Sequence, residues 1–156
     1  MNYEVHVKQL TPQVVVTERR HATLKQLGHA MHSALAKVAN AVEPPSATSG
    51  APFAVYYNEP FRPEDIDVEM GLPVNADAKV TESHDVHRRV IAGGPVAYTL
   101  HVGPYSSIGA AYDALYAWLA EHGHERTGPP REIYIVGPSQ GAKPHEYRTE
   151  VEVPID

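Results

Sequence analysis

Leu24-Lys-Gln-Leu27-Gly-His-Ala-Met31-His-Ser-Ala34-Leu35-Ala-Lys-Val38-Ala-Asn-Ala-Val42 and Ile108-Gly-Ala-Ala-Tyr112-Asp-Ala-Leu115-Tyr116-Ala-Trp-Leu119 are two versions of one segment, 81 positions apart. Leu27, Met31, Ala34, Leu35 and Val38 fall on Ile108, Tyr112, Leu115, Tyr116 and Leu119. Apolar residues stepping by three and four mark one face of an amphipathic helix. The first copy runs from Leu24 to Val42 and ends before Pro44-Pro45. The second is expected to open at Ser106 or Ser107 as N-cap and to stop near Gly123 at a C′ position.

The repeat extends outward from these helices. Glu4-Val5-His6-Val7-Lys8 matches Asp85-Val86-His87-Arg88-Arg89 at the same offset, and Val14 to Thr17 matches Val96 to Thr99 if the turn holds one inserted residue. Leu10-Thr11-Pro12-Gln13 and Ala92-Gly93-Gly94-Pro95 then read as hairpin turns between paired strands. Phe53 to Tyr57 and Glu132 to Val136 are short central strands, and Ile66 to Val74 and Tyr147 to Ile155 close each copy. This predicts a single α+β domain over residues 1–156. It is built from duplicated strand-strand-helix-strand-strand half-repeats of about 1–80 and 81–156, with antiparallel sheets and one main helix per half. A pseudo-twofold axis would place a cleft between the halves. Alternation along the central strands puts Val55, Tyr57, Ile133 and Ile135 on the helices, and Ala54, Tyr56, Glu132 and Tyr134 on the opposite face.

Charge and composition narrow the chemistry. Lys and Arg number 13 against 19 for Asp and Glu, a net charge of −6, with no basic run longer than Arg88-Arg89. Clustered positive charge for a phosphate backbone is missing, so no direct nucleic-acid partner is expected. The start, Met-Asn-Tyr-Glu-Val-His, has no basic region followed by an apolar run, and no stretch reaches the ~18 apolar residues of a membrane span. A cytoplasmic protein with no membrane partner is expected. Cysteine is absent, which removes thiol nucleophiles and thiolate metal sites. The histidine pairs His29/His32 and His122/His124 lack a third ligand at fixed spacing, so neither a metal nor a cofactor is expected.

The nine tyrosines are the unusual feature. Tyr98, Tyr105, Tyr112, Tyr116 and Trp118 concentrate in the second half, where their spacing fits either core or the wall of a partly wet pocket. Glu132 stands where the first copy has Ala54, in an otherwise apolar strand. It reads as a strand-edge acid in water, paired with Arg131 or Arg148, or as an anchor for a cationic guest among aromatic rings. His101-Val-Gly-Pro-Tyr105 is a strand end, a turn and a helix entry, which serves conformation alone or exposes His101 and Tyr105 to a ligand.

His101-x-Gly-Pro-Tyr105, the helix from Ile108 to Trp118, Arg131-Glu132-Ile133-Tyr134 and a terminal Glu150-x-x-x-Pro154 together resemble the GyrI-like family, the AraC-type effector-binding domain also found in BmrR-like multidrug regulators. The resemblance covers essentially the whole chain. It implies a stand-alone domain that binds bulky amphipathic, often cationic, small molecules for sequestration or sensing. In it Glu132 matches the family's central acid, and Tyr134, Tyr105, His101 and Tyr56 match the pocket wall. Tyr98, Tyr112 and Trp118 complete the candidate ligand-binding set. Free-standing relatives imply two alternatives. One is a hydrolase of strained, cyclopropane-type electrophiles, using Glu132 as general base and Tyr105 or Tyr134 as donor. The other is a gyrase-inhibitor-like protein whose partner is a topoisomerase or regulator.

Overall fold

The computed structural model describes residues 2–58 and 60–156. In chain order the elements are β1 (His6–Leu10), β2 (Gln13–Ala22), α1 (Leu27–Asn40), β3 (Val42–Glu43), β4 (Phe53–Tyr56), β5 (Ile66–Pro73), β6 (Lys79–Val80), β7 (Val86–Ile91), β8 (Gly94–Val102), α2 (Gly109–Glu121), β9 (Arg131–Val136) and β10 (Arg148–Pro154). The α+β class, the antiparallel sheets and the single main helix in each copy are as the sequence predicts. No helix among the described residues is long and apolar enough to cross a membrane.

Two compact units divide the chain: Pro12–Ala92, and Met1–Thr11 with Gly93–Asp156. In the first the strands run in the order β4-β5-β2-β7, with β3 and β6 forming a separate ribbon; in the second the order is β9-β10-β8-β1. The expected hairpins therefore do not form. β1 pairs with β8 and β2 pairs with β7, so each copy's opening strand completes the other copy's sheet. Leu10-Thr11-Pro12-Gln13 and Ala92-Gly93-Gly94-Pro95 are the crossing points rather than strand-pairing turns. Short Gly- and Pro-containing links look the same in sequence whether the chain reverses onto itself or moves to another sheet, which is why local turn signals misassigned them.

Strand pairing also corrects the repeat's register. Val16 pairs with Leu72 and Arg88, and Ala97 pairs with Val153 and Val7, so all three correspondences are 81 positions apart and no residue is inserted. The helices obey the same offset. Ala30, Ala34 and Val38 are the buried residues of α1, and Ala111, Leu115 and Leu119 those of α2. The deepest line on α1 is thus one residue round from the large apolar stripe, because small side chains occupy the closest approach to the sheet. Leu24 lies outside the helix, exposed in a 3-10 turn that Thr23 and Gln26 cap reciprocally.

Each helix covers one face of its own sheet. Val16, Val38, Val74 and Val86 form the core of the first unit, and Ala97, Leu115, Leu119, Val151 and Val153 that of the second. The strand exchange has a direct consequence for a chain beginning at Pro12. Hydrogen–deuterium exchange should then show lost protection within Gly94–Tyr98, the stretch of β8 that β1 covers, with β8 still paired to β10 and β2 still paired to β7. Loss falling instead on Val14 to Val16 would restore the hairpin.

Candidate functional site

The face on which Glu132 lies follows from its partners. Residues directly opposite in an antiparallel pair point the same way. Glu132 is opposite Val151 and Tyr134 is opposite Thr149, while Val151 packs in the core under α2. Glu132 and Tyr134 therefore face α2, which reverses the sequence expectation. Ile133, opposite Glu150, takes the other face, and in the first unit Val55, opposite Glu69, does the same. Apolar ranking misled here because Ile and Val outrank Glu and Ala as core residues. The register, which sequence alone does not fix, decides the face.

Glu132 is only 7% exposed, and its two carboxylate oxygens each accept a phenolic hydrogen bond. Tyr134 donates to Oε1 at 2.9 Å from the same strand, and Tyr112 donates to Oε2 at 2.5 Å from α2. Hydrogen bonds to a carboxylate are charge-assisted, so this pair offsets much of what burial removes from the acid's hydration. Around them the rings continue. Tyr105 meets Tyr134 edge-on at 5.7 Å and stacks on Tyr147 at 5.0 Å, and Tyr116 meets Tyr112 edge-on at 6.0 Å. Tyr147 is a member the sequence reading missed. Its signal was its place at the start of the closing strand, where it could have been matched to the motif turn.

Tyr105 is 37% exposed and is the most open ring of the group. Burial of its hydroxyl, with the charges of Tyr147 and Glu132 nearby, pushes its pKa up to about 12. It stays a neutral hydroxyl at physiological pH. Gly137 makes room for it, since a Cβ there would stand 3.1 Å from the Tyr105 hydroxyl.

His101 holds the turn that delivers these residues. It is 1% exposed, and both ring nitrogens are engaged within the unit. Nε2 lies 2.9 Å from the Pro104 carbonyl, which only accepts, so Nε2 carries a proton; Nδ1 is paired with the Tyr3 hydroxyl at 2.9 Å. Ser107 does not cap α2 as expected. Its hydroxyl donates back to the Pro104 carbonyl at 3.0 Å, and a 3-10 turn from Tyr105 to Ser107 precedes the helix.

Tyr98 and Trp118 lie elsewhere in the same unit. Tyr98 is opposite Glu152, on the sheet face away from Glu132, with Lys8 4.2 Å over its ring. Trp118 stacks with His122 and with His124 at the far end of α2. Tyr56 belongs to the first unit, on the α1 side of β4. On the Tyr98 face Lys8 bonds Glu150 at 2.8 Å, and Arg131 approaches Glu152 at 3.2 Å. Burial, aided by the shared hydrogen bond with Glu150, raises the Glu152 carboxyl to about 7 against the pull of Arg131 and Lys8. The first unit has two buried acids that sequence reading passed over, Glu18 and Glu69. Glu69 accepts from Thr17 at 2.6 Å, Tyr57 at 2.5 Å and Arg89 at 2.6 and 2.7 Å, and these bonds hold its pKa low although burial acts in the opposite direction. No cluster of three or more His, Asp or Glu among the described residues is arranged to hold a metal.

If His101 sets the turn, His101→Phe should lower unfolding free energy by about 2–4 kcal/mol, because the Pro104 carbonyl and Tyr3 hydroxyl lose their buried partner. Chemical denaturation measures this. A change below about 0.5 kcal/mol would mean that the imidazole does not organise the turn.

Comparison with known proteins adds to this geometry. No curated protein sequence is significantly similar. Among solved structures, the C-terminal domain of EcmrR superposes with a TM-score of 0.83 at 23% identity, covering 100% of this chain and 99% of that one. EcmrR bound to DNA in its RPo complex gives 0.87 at 23% identity; 99% of this chain is covered but 57% of that one, so this chain spans a little over half the length of EcmrR. A hydrolase from Listeria innocua gives 0.68 at 12% identity, covering 98% and 92% of the two chains. SAV2435 bound to tetraphenylphosphonium gives 0.61 at 11%, covering 98% and 94%. These likenesses establish a shared fold. The sequence profile of the GyrI-like small molecule binding domain matches residues 3–156. With nearly its whole length accounted for, the chain belongs to the GyrI-like small-molecule-binding domain family.

Proposed function

We propose that the chain binds a bulky amphipathic cation at the tyrosine-held carboxylate of Glu132, as a drug-sequestering or effector-sensing domain. The observation that carries this reading is the placement of Glu132 on the α2 side, within hydrogen-bonding distance of Tyr112 and Tyr134, where the other copy has Ala54. The acid is held by phenols rather than excluded to water. Its negative charge lies beside Tyr134, whose ring meets the most open ring of the set, Tyr105. A delocalised cation gains Coulomb attraction from the carboxylate and quadrupole attraction from the ring faces, both strengthened where water is scarce. Tetraphenylphosphonium, seen in SAV2435, is a guest of this kind.

The hydrolase reading is supported by the fold neighbour of that name and by the neutral Tyr105 hydroxyl, a donor of the type a developing oxyanion needs. Binding and turnover separate in one experiment. Calorimetric titration with tetraphenylphosphonium should give saturable binding that Glu132→Gln weakens by about 1–3 kcal/mol, while neutral triphenylphosphine oxide loses much less. Equal losses for the two ligands would remove the electrostatic anchor. A cyclopropane-bearing electrophile recovered unchanged would leave binding as the function; its conversion, abolished in Glu132→Gln, would establish an enzyme.

A further inference from the structure

The unit that carries Glu132 has a hollow of about 580 Å³, apart from the Glu132 cluster, whose lining includes Val102, Val136, Ala142, His145, Glu146 and Arg148. None of these residues belongs to the Glu132 cluster. A bulge creates it. Tyr134 is opposite Thr149 and Val136 is opposite Arg148, so two steps on β9 match one step on β10 and Ile135 is the extra residue. Thr149 and Arg148 are neighbours in a strand and point to opposite faces. The bulge therefore moves Val136 from the face of Tyr134 to the face of Arg148, where Val102 also lies opposite Arg148.

The wall is a braced loop. The Gln140 carboxamide accepts from the Gly137 amide at 2.6 Å and donates to the Ile135 carbonyl at 3.1 Å. The Glu146 carboxylate accepts from the Lys143 amide at 2.8 Å. Gly141, at φ +74°, takes the left-handed turn between them. These polar side chains are engaged with their own backbone, whereas Arg148 and His145 have neither a hydrogen-bond nor an ion-pair partner among the described residues. Arg19, Arg62, Arg89 and Arg131 meet carboxylates and the Arg88 guanidinium bonds two backbone carbonyls, so the exposed Arg148 head differs from theirs in being left to face the hollow.

We propose that this hollow is a second binding site, for a small amphipathic anion. Arg148 takes a carboxylate or sulfonate in the two-pronged manner its planar head allows, the His145 ring donates beside it, and the apolar body lies on Val102, Val136 and Ala142. Glu146 is the one acid on the wall, and its bond to the Lys143 amide holds one of its oxygens against the loop. The site's charge preference is opposite to that at Glu132, and it stands independently of the function proposed above.

The probe is 1-anilinonaphthalene-8-sulfonate, followed by its fluorescence on the full chain. Saturable one-to-one binding is expected, weakened by about tenfold or more in Arg148→Gln. It should be unaffected by Arg62→Gln, an equal change of charge in the other unit, and not displaced by excess tetraphenylphosphonium. Absence of saturable binding, a smaller effect of Arg148→Gln, an equal effect of Arg62→Gln, or displacement by the cation would each overturn the proposal.

Discussion

A carboxylate under a helix is costly to bury unless its oxygens are satisfied, and that requirement organises the second unit. Glu132 needs donors that are themselves mostly apolar, and tyrosine meets the need because its ring packs while its hydroxyl bonds. One donor lies two residues along the same strand and the other on α2. The helix must therefore arrive at a fixed rotation and height. His101 contributes by tying the end of β8 to the carbonyl of Pro104 and to Tyr3 near the chain's start. The twin position in the first unit is Ala54, fully buried, and no such constraint operates there.

Charge is handled differently on the opposite sheet faces, and there the duplication persists. Arg89 meets Glu69 in the first unit, and Lys8 meets Glu150 in the second, each pair joining an exchanged opening strand to a closing strand. The members of the two pairs are 81 positions apart. Exchange of the opening strands carries the basic residue of one copy to the acid of the other, so these ion pairs mark the crossed connectivity chemically. Arg89 makes the stronger arrangement, because its fork reaches both oxygens of Glu69, whereas the Lys8 ammonium also lies over the Tyr98 ring.

Much of this was legible in the sequence. Periodicity located both helices and all the principal strands, and the comparison of Glu132 with Ala54 singled out the acid at the centre of the site. Pairing was not legible. A Pro- or Gly-containing link of four residues carries the same local signal for a hairpin as for a crossing, and a strand such as Glu132 to Val136 has large apolar or aromatic side chains at both parities, so alternation does not say which side holds the helix. The bulge at Ile135 was invisible for a related reason: it is defined by what lies opposite. His101 was correctly marked, but its engagement with a carbonyl three residues on and a hydroxyl from the chain's start needs coordinates to be seen. Tyr98 and Trp118 illustrate the converse, aromatic residues grouped by sequence proximity that the fold sends to different places.

The central claim is that Glu132 and its phenols, on the helix side of the sheet, form the surface that takes a cation. A crystal structure of the protein with tetraphenylphosphonium tests it most directly. The expected result places the phosphonium on the α2 side, with phenyl groups against Tyr105 and its centre within about 6 Å of an aromatic ring of the Tyr105, Tyr134 and Tyr147 group. Density for the cation on the Lys8 and Tyr98 face instead, with the Glu132 cluster unchanged and unoccupied, would contradict it.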